Sequence, residues 1–238
     1  MRVLDTFSGI GCFSLGLERA GFETVAFCEI SEFPRKVLAK HWPDVPIYED
    51  VRDVSKQRLD EYGIRCDVVT GGFPCQDISS AGSGEGIDGE RSSLWKEMCR
   101  VISEVRPRNA WLENSPLLVE RGLAVVIGDL TEIGYDLRWC VLGSDNIGAS
   151  HHRKRFWGLA TNSECVGQSE SRGYDNAICE AKADDRQTDW FKRILQGRTM
   201  PYVCGENHGM ADGVDRLRAV GNGQDPRTFR LAWDILNG

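Results

Sequence analysis

Nowhere does the chain offer a hydrophobic run near the ~18 apolar residues of a membrane span. Met1-Arg2 leads straight into Val3-Leu4, without the apolar stretch of a secretory signal. A cytoplasmic protein with no membrane partner is therefore expected. Positive charge is also in deficit. With 29 Lys+Arg against 36 Asp+Glu and a formal charge of −7, bulk electrostatics cannot hold nucleic acid, and any such binding must use local basic patches. The nine cysteines are odd in number, scattered, and without a single C-x-x-C pair. That pattern excludes the disulfide framework of a small secreted domain and suits small buried hydrophobes in a reducing compartment. Internal repeats and low-complexity tracts are absent as well. What remains, 41% hydrophobic and 27% charged residues over 238 positions, is the composition of one large globular domain, or of a domain with a small appendage.

The first half alternates strand-like and helix-like patterns. Strands are predicted over 3–7, 24–28, 46–48, 67–70 and 110–112, with helices over 12–20, 33–40 and 94–105 between them. Gly21 stands one position past the first helix, where a left-handed residue commonly ends one. Such alternation implies βαβ units and a mainly parallel sheet. Two further strands are predicted over 136–142 and 156–160, joined by a loop carrying His151-His152-Arg153-Lys154-Arg155. From Thr161 to about Gly213 the chain turns polar and loses apolar periodicity, which reads as a small separate module or long insertion. Order returns at Asp225-Pro226, an N-cap followed by proline. Phe229, Ala232, Trp233 and Leu236 then form an apolar helix face. The division expected is 1–160, 161–213 and 214–238.

Chemistry-bearing residues cluster at predicted strand ends. Asp5-Thr6-Phe7-Ser8-Gly9-Ile10-Gly11 is a glycine-rich turn from strand to helix, where a ligand can approach backbone. Ser14 occupies the position of the third glycine of a dinucleotide fingerprint, so the turn suits an adenosine ligand without needing a pyrophosphate. Glu29 is placed to take ribose hydroxyls, although a solvated strand end is an equal reading of that residue alone. Gly71-Gly72-Phe73-Pro74-Cys75-Gln76 follows the fourth strand and offers Cys75 as a nucleophile. Glu113-Asn114-Ser115-Pro116 ends the fifth strand. There Glu113 is either a proton donor facing Cys75 or part of a capping turn. Arg153 and Arg155 flank Lys154 on a strand, and one is expected to enter the site while the other packs or forms a salt bridge.

Together these motifs resemble the DNA (cytosine-5)-methyltransferases, in order and over most of the chain outside 161–213. The resemblance implies an α/β fold: a Rossmann-like, class I S-adenosylmethionine-dependent sheet with helices on both faces, plus a small target-recognition insertion. It assigns the Asp5–Gly11 turn to S-adenosylmethionine, with Asp5, Phe7, Gly9, Ile10 and Gly11 in contact. Glu29, Ile30, Asp50 and Val51 hold the ribose and adenine, and Pro74, Leu94 and Asn222 complete the cofactor set. Cys75 adds to C6 of a flipped cytosine, Glu113 bonds N3 and the exocyclic amine, and Arg155 holds O2. Asn114 and Arg153 help fix the loop, and Gln76 completes the catalytic set. The Gly/Ser stretch 79–86 has the composition of a closing lid, and Ser79 with Arg153, Lys192, Arg193 and Arg198 would touch DNA. Gly221-Asn222 with the final helix matches the motif that returns beside the first. Duplex DNA is the implied partner in a bacterial or phage-infected cell, with a cognate restriction enzyme as an optional companion and a monomer as the expected state.

The chain departs from the family pattern in places. His151 replaces the usual Gln, Gly223-Gln224-Asp225-Pro226 breaks the usual continuation after Gly-Asn, and the penultimate motif has no clear counterpart. Cys204-x-x-x-His208 has half of a zinc spacing, but Cys165 and Cys179 lie at long unlike distances, so no metal is expected. Trp190 and Phe191 lie among the basic candidates of a region that is equally a small amphipathic helix against the main domain. Rival readings keep the chemistry but place the cytosine in tRNA, or make the chain a catalytically silent DNA-binding relative. Joint presence of Cys75, Glu113 and Arg155 speaks against the silent relative. Ser14 and the nucleophile loop disfavour a nicotinamide oxidoreductase.

Overall fold

The computed structural model describes residues 1–74, 93–148, 153–165 and 226–237. Seven strands form one sheet: β1 (Arg2–Thr6), β2 (Glu23–Cys28), β3 (Ile47–Tyr48), β4 (Val68–Gly71), β5 (Asn109–Asn114), β6 (Tyr135–Gly143) and β7 (Lys154–Asn162). Their order is β3-β2-β1-β4-β5-β7-β6. Pairings from β3 through β5 are parallel, whereas β7 runs antiparallel to both β5 and β6. All seven predicted strands are present, within a few residues of their expected bounds.

Why the central strands read as continuous apolar runs is visible in the side-chain alternation. Val3, Val68 and Trp111 enter one apolar layer, while Leu4, Val69, Ala110 and Leu112 enter the other. A strand covered on both faces has no solvent side to mark with polar residues. The first layer is closed by α1 (Cys12–Glu18) and by the last helix, α7 (Pro226–Asn237). Phe229 lies 4.9 Å from Phe13 and 5.1 Å from Trp111 between ring centroids, and Trp233 stacks on Trp111 at 5.3 Å. The chain's end thus returns beside its beginning, as the predicted apolar face of α7 requires.

Opposite lie α3 (Lys56–Glu61), α4 (Ser93–Val105), α5 (Leu118–Arg121) and α6 (Leu123–Glu132). Among the described residues the remaining α-helix, α2 (Glu32–His41), follows β2. Helices α3, α5 and α6 are additions to the sequence reading. The first two are only six and four residues long, and α6 opens on the apolar run Leu123–Ile127, which blurs its 3.6-residue contrast, so packing on the sheet decides them. Burial disposes of several cysteines as expected. It pushes the Cys28 and Cys66 thiols up to about 12 and that of Cys99 to about 11, so they stay protonated near neutrality. No helix among the described residues is long and apolar enough to cross a membrane.

Candidate active site

Parallel β1, β2, β4 and β5 all end at one edge of the sheet, and the reversed β7 starts there. Strand direction alone therefore gathers the Asp5–Gly11 turn, Glu29, Phe73-Pro74, Glu113-Asn114 and Arg155 along one rim.

The first turn is built for backbone exposure. Phe7 takes a left-handed φ of 54°, uncommon for a residue with a side chain, and packs its ring on the core. Gly11 follows at φ 82°, where a Cβ would lie 2.6 Å from the Trp42 ring. At Gly9, φ 53°, a Cβ would meet no described residue within 4 Å, so among the described residues the space over the turn is open. Ser8 pins the turn to β2, its backbone N–H donating to Cys28 O at 3.0 Å and its hydroxyl to Asp5 O at 2.6 Å.

Glu29 is anchored as well. One carboxylate oxygen accepts the Gly9 N–H and the other the Ser31 N–H, each at 2.8 Å. Each oxygen keeps acceptor capacity for a hydroxyl. Ile30 beside it is 69% exposed, an apolar surface at the site's rim. Asp50 caps the 3-10 turn Val51–Asp53 by accepting the Arg52 N–H at 2.9 Å. Two carboxylates, an exposed isoleucine and open space over glycine backbone fit an adenosine-bearing ligand: hydroxyl and amine donors find acceptors, and an aromatic base finds an apolar wall.

Asp5 itself is fully buried beneath this turn. Its carboxylate accepts the Thr70 and Ser14 hydroxyls, both at 2.7 Å. Burial raises its pKa to about 6, against the lowering effect of those hydroxyls. The folded state therefore holds the proton more tightly than the unfolded chain, whose value is near 3.8. Stability from this group is fullest below about pH 4 and falls by about 3 kcal/mol as pH rises through 6. Asp5→Asn should remove that dependence. In urea unfolding between pH 4 and 8, the wild type should lose ground to the variant as pH rises; parallel curves would refute the assignment.

On the other side of β4, Phe73 is buried against Trp95 at 5.1 Å, and the Trp95 indole N–H donates to Asp129 at 2.7 Å. Asn114 Nδ2 donates to Phe73 O at 3.2 Å, holding the chain just before Pro74. Glu113 Oε1 meets Arg155 Nε at 2.9 Å, with only 11% of the glutamate side chain exposed. Arg153 is more enclosed: burial, then repulsion from Arg155, lowers its pKa, and its Nε has no hydrogen-bond partner among the described residues. Both arginines sense Glu113: positions two apart share one face of a strand, and Arg153 immediately precedes the start of β7 at Lys154.

Cys75, Gln76, Ser79, His151, Lys192, Arg193, Arg198 and Asn222 lie outside the described residues, as do Cys179, Cys204 and His208. Sequence reading missed the braces of the site, Ser8, Arg35, Trp95, Arg100 and Asp129. Arg35 Nη1 donates to the Glu29 and Ile30 carbonyls. Only the Glu97/Arg100/Glu104 spacing on one helix face could have hinted at such a role.

Comparison with known proteins gives this rim a context. Residues 1–199 match the family model described as C-5 cytosine-specific DNA methylase. A type II methyltransferase of Bacillus subtilis strain 168, M2.BsuMI, is 37% identical over 169 residues, covering 68% of this chain and 42% of its own length. The type II methyltransferase M.CviJI of Paramecium bursaria Chlorella virus IL3A is 37% identical over 161 residues, with shares of 67% and 42%. The chain thus spans less than half the length of these curated relatives. Among solved structures, the Entamoeba histolytica methyltransferase EhMeth superposes with a TM-score of 0.60 at 18% identity, over 74% of this chain and 57% of that one.

Proposed function

The chain belongs to the C-5 cytosine-specific DNA methylase family, and we propose that it methylates C5 of a flipped-out cytosine in duplex DNA, with Cys75 as the nucleophile. One observation carries this reading: the Glu113–Arg155 pair stands on the rim that also bears Phe73-Pro74, the residues immediately preceding Cys75, and the Glu29 carboxylate.

Carbon C5 of cytosine is a weak nucleophile. Addition of the Cys75 thiolate to C6 converts the ring to an enamine, and electron density then builds at C5 and N3. Glu113 bonds N3 and the exocyclic amine, while Arg155 holds both Glu113 and the base O2. Asn114 keeps the loop entrance in place through Phe73 O. The buried Arg153 Nε, which has no hydrogen-bond partner among the described residues, would tie down the same loop. S-adenosylmethionine, when bound, supplies a sulfonium methyl that the activated C5 takes up. A base takes the C5 proton, and β-elimination of the Cys75 thiolate from C6 restores the aromatic ring and frees the enzyme. Glu29 and Asp50 would hold the cofactor's ribose and adenine, and the Phe7–Gly11 backbone would line the rest of it. A stacked base cannot reach such a pocket, so the target must be extruded, costing about a few kcal/mol.

Incubation with labelled S-adenosylmethionine and either duplex DNA or tRNA tests the substrate. Label is expected in duplex DNA, and bisulfite sequencing then gives the target site; label in tRNA alone would overturn the DNA assignment.

A further inference from the structure

Asp50 and Val51 sit on a segment that the sheet does not hold. The short β3 ends at Tyr48, after which the chain passes through the 3-10 turn Val51–Asp53 to Val54 and on to α3. Val51 O, which also accepts the Val54 N–H at 3.1 Å, and Val54 O at the turn's end are both claimed by one side chain of α4. Arg100 Nη2 donates to Val51 O and Arg100 Nη1 to Val54 O, both at 3.0 Å. The guanidinium is itself held from its own helix: Glu97 accepts from Nε at 2.8 Å and Glu104 from Nη1 at 2.9 Å. The second oxygen of Glu104 also accepts the Lys56 N–H, at 3.3 Å. Helix α4 thus grips the turn at three points, and Val51 and Val54 are buried beneath them.

We infer that Arg100 is a positioning residue for the cofactor site, fixing the turn so that the Asp50 carboxylate is preset for the adenine amine. This rests on the cofactor reading given above. A planar guanidinium can meet two carbonyls and two carboxylates at once, which a lysine ammonium on a flexible stem cannot reproduce. With the fork removed, the turn must be ordered by the ligand, and that entropy is charged against binding.

The test is calorimetric titration of the full chain with S-adenosylhomocysteine, with Tm measured alongside. Arg100→Met is expected to weaken binding by about tenfold, the range of a single lost ordering contact. Arg100→Lys keeps a cation between the two glutamates and guards against loss of the fold; it is expected to bind at least about threefold more weakly than wild type. Because Arg100 acts through Asp50, the same two substitutions made on an Asp50→Asn background should change affinity less than about twofold. Wild-type affinity in Arg100→Lys, or an undiminished loss on the Asp50→Asn background, would overturn the inference. Failure of the wild type to bind S-adenosylhomocysteine at all would instead remove the cofactor reading beneath it.

Discussion

Cys75→Ser is expected to reduce methyl transfer to duplex DNA by on the order of a thousandfold or more, equivalent to about 4 kcal/mol of barrier. A serine hydroxyl is far less acidic than a thiol, so no anion forms to add at C6. The variant should still bind S-adenosylhomocysteine, because the described side chains that shape the proposed cofactor turn, Asp5, Ser14, Glu29 and Thr70, are untouched by the substitution. DNA containing 5-fluorocytosine separates the chemistry from binding. Fluorine at C5 blocks the final elimination, so the wild type should accumulate a covalent protein–DNA adduct and the variant none. Comparable turnover by Cys75→Ser would sink the mechanism.

The second large effect concerns Glu113. Its carboxylate is bound to Arg155 at 2.9 Å and nearly enclosed, so in the proposed reaction it starts already oriented. Glu113→Gln keeps the shape but loses the capacity to donate or accept a full proton at N3, and kcat should fall by about 10²- to 10⁴-fold. Arg155→Met removes the 2.9 Å ion contact to Glu113 and should lower activity as well. Since the two groups touch, their effects should not add: the double variant is expected to be barely worse than Glu113→Gln alone. Activity within tenfold of wild type for Glu113→Gln, or strict additivity in the cycle, would show that the pair does not act as a unit on the base.

Site chemistry and its braces differ in how they can be read. Gly72-Phe73-Pro74-Cys75-Gln76 and Glu113-Asn114 are contiguous, and their composition is unusual enough to be recognised without coordinates. Arg100 and Asp129 are ordinary charged residues on ordinary helices. They acquire meaning only when α4 and α6 pack on the sheet and bring them to Val51, Val54 and Trp95. Asp5 shows the same limit from the other direction. The sequence places it in the cofactor turn, but its burial under that turn, with hydroxyls from α1 and β4, makes it a pH-sensitive support for the fold.

The sequence by itself determined the alternation of strands and helices, the apolar face of α7, and the residues able to do the chemistry, because each rests on local periodicity or contiguous motifs. Tertiary structure decided what depends on strand direction and on pairs distant in the chain. Reversal of β7 between β5 and β6 brings Arg155 back to the rim where Glu113 ends a parallel strand. No local pattern encodes that reversal. It follows from how β7 pairs with its neighbours, and with it comes the contact on which the proposed catalysis turns.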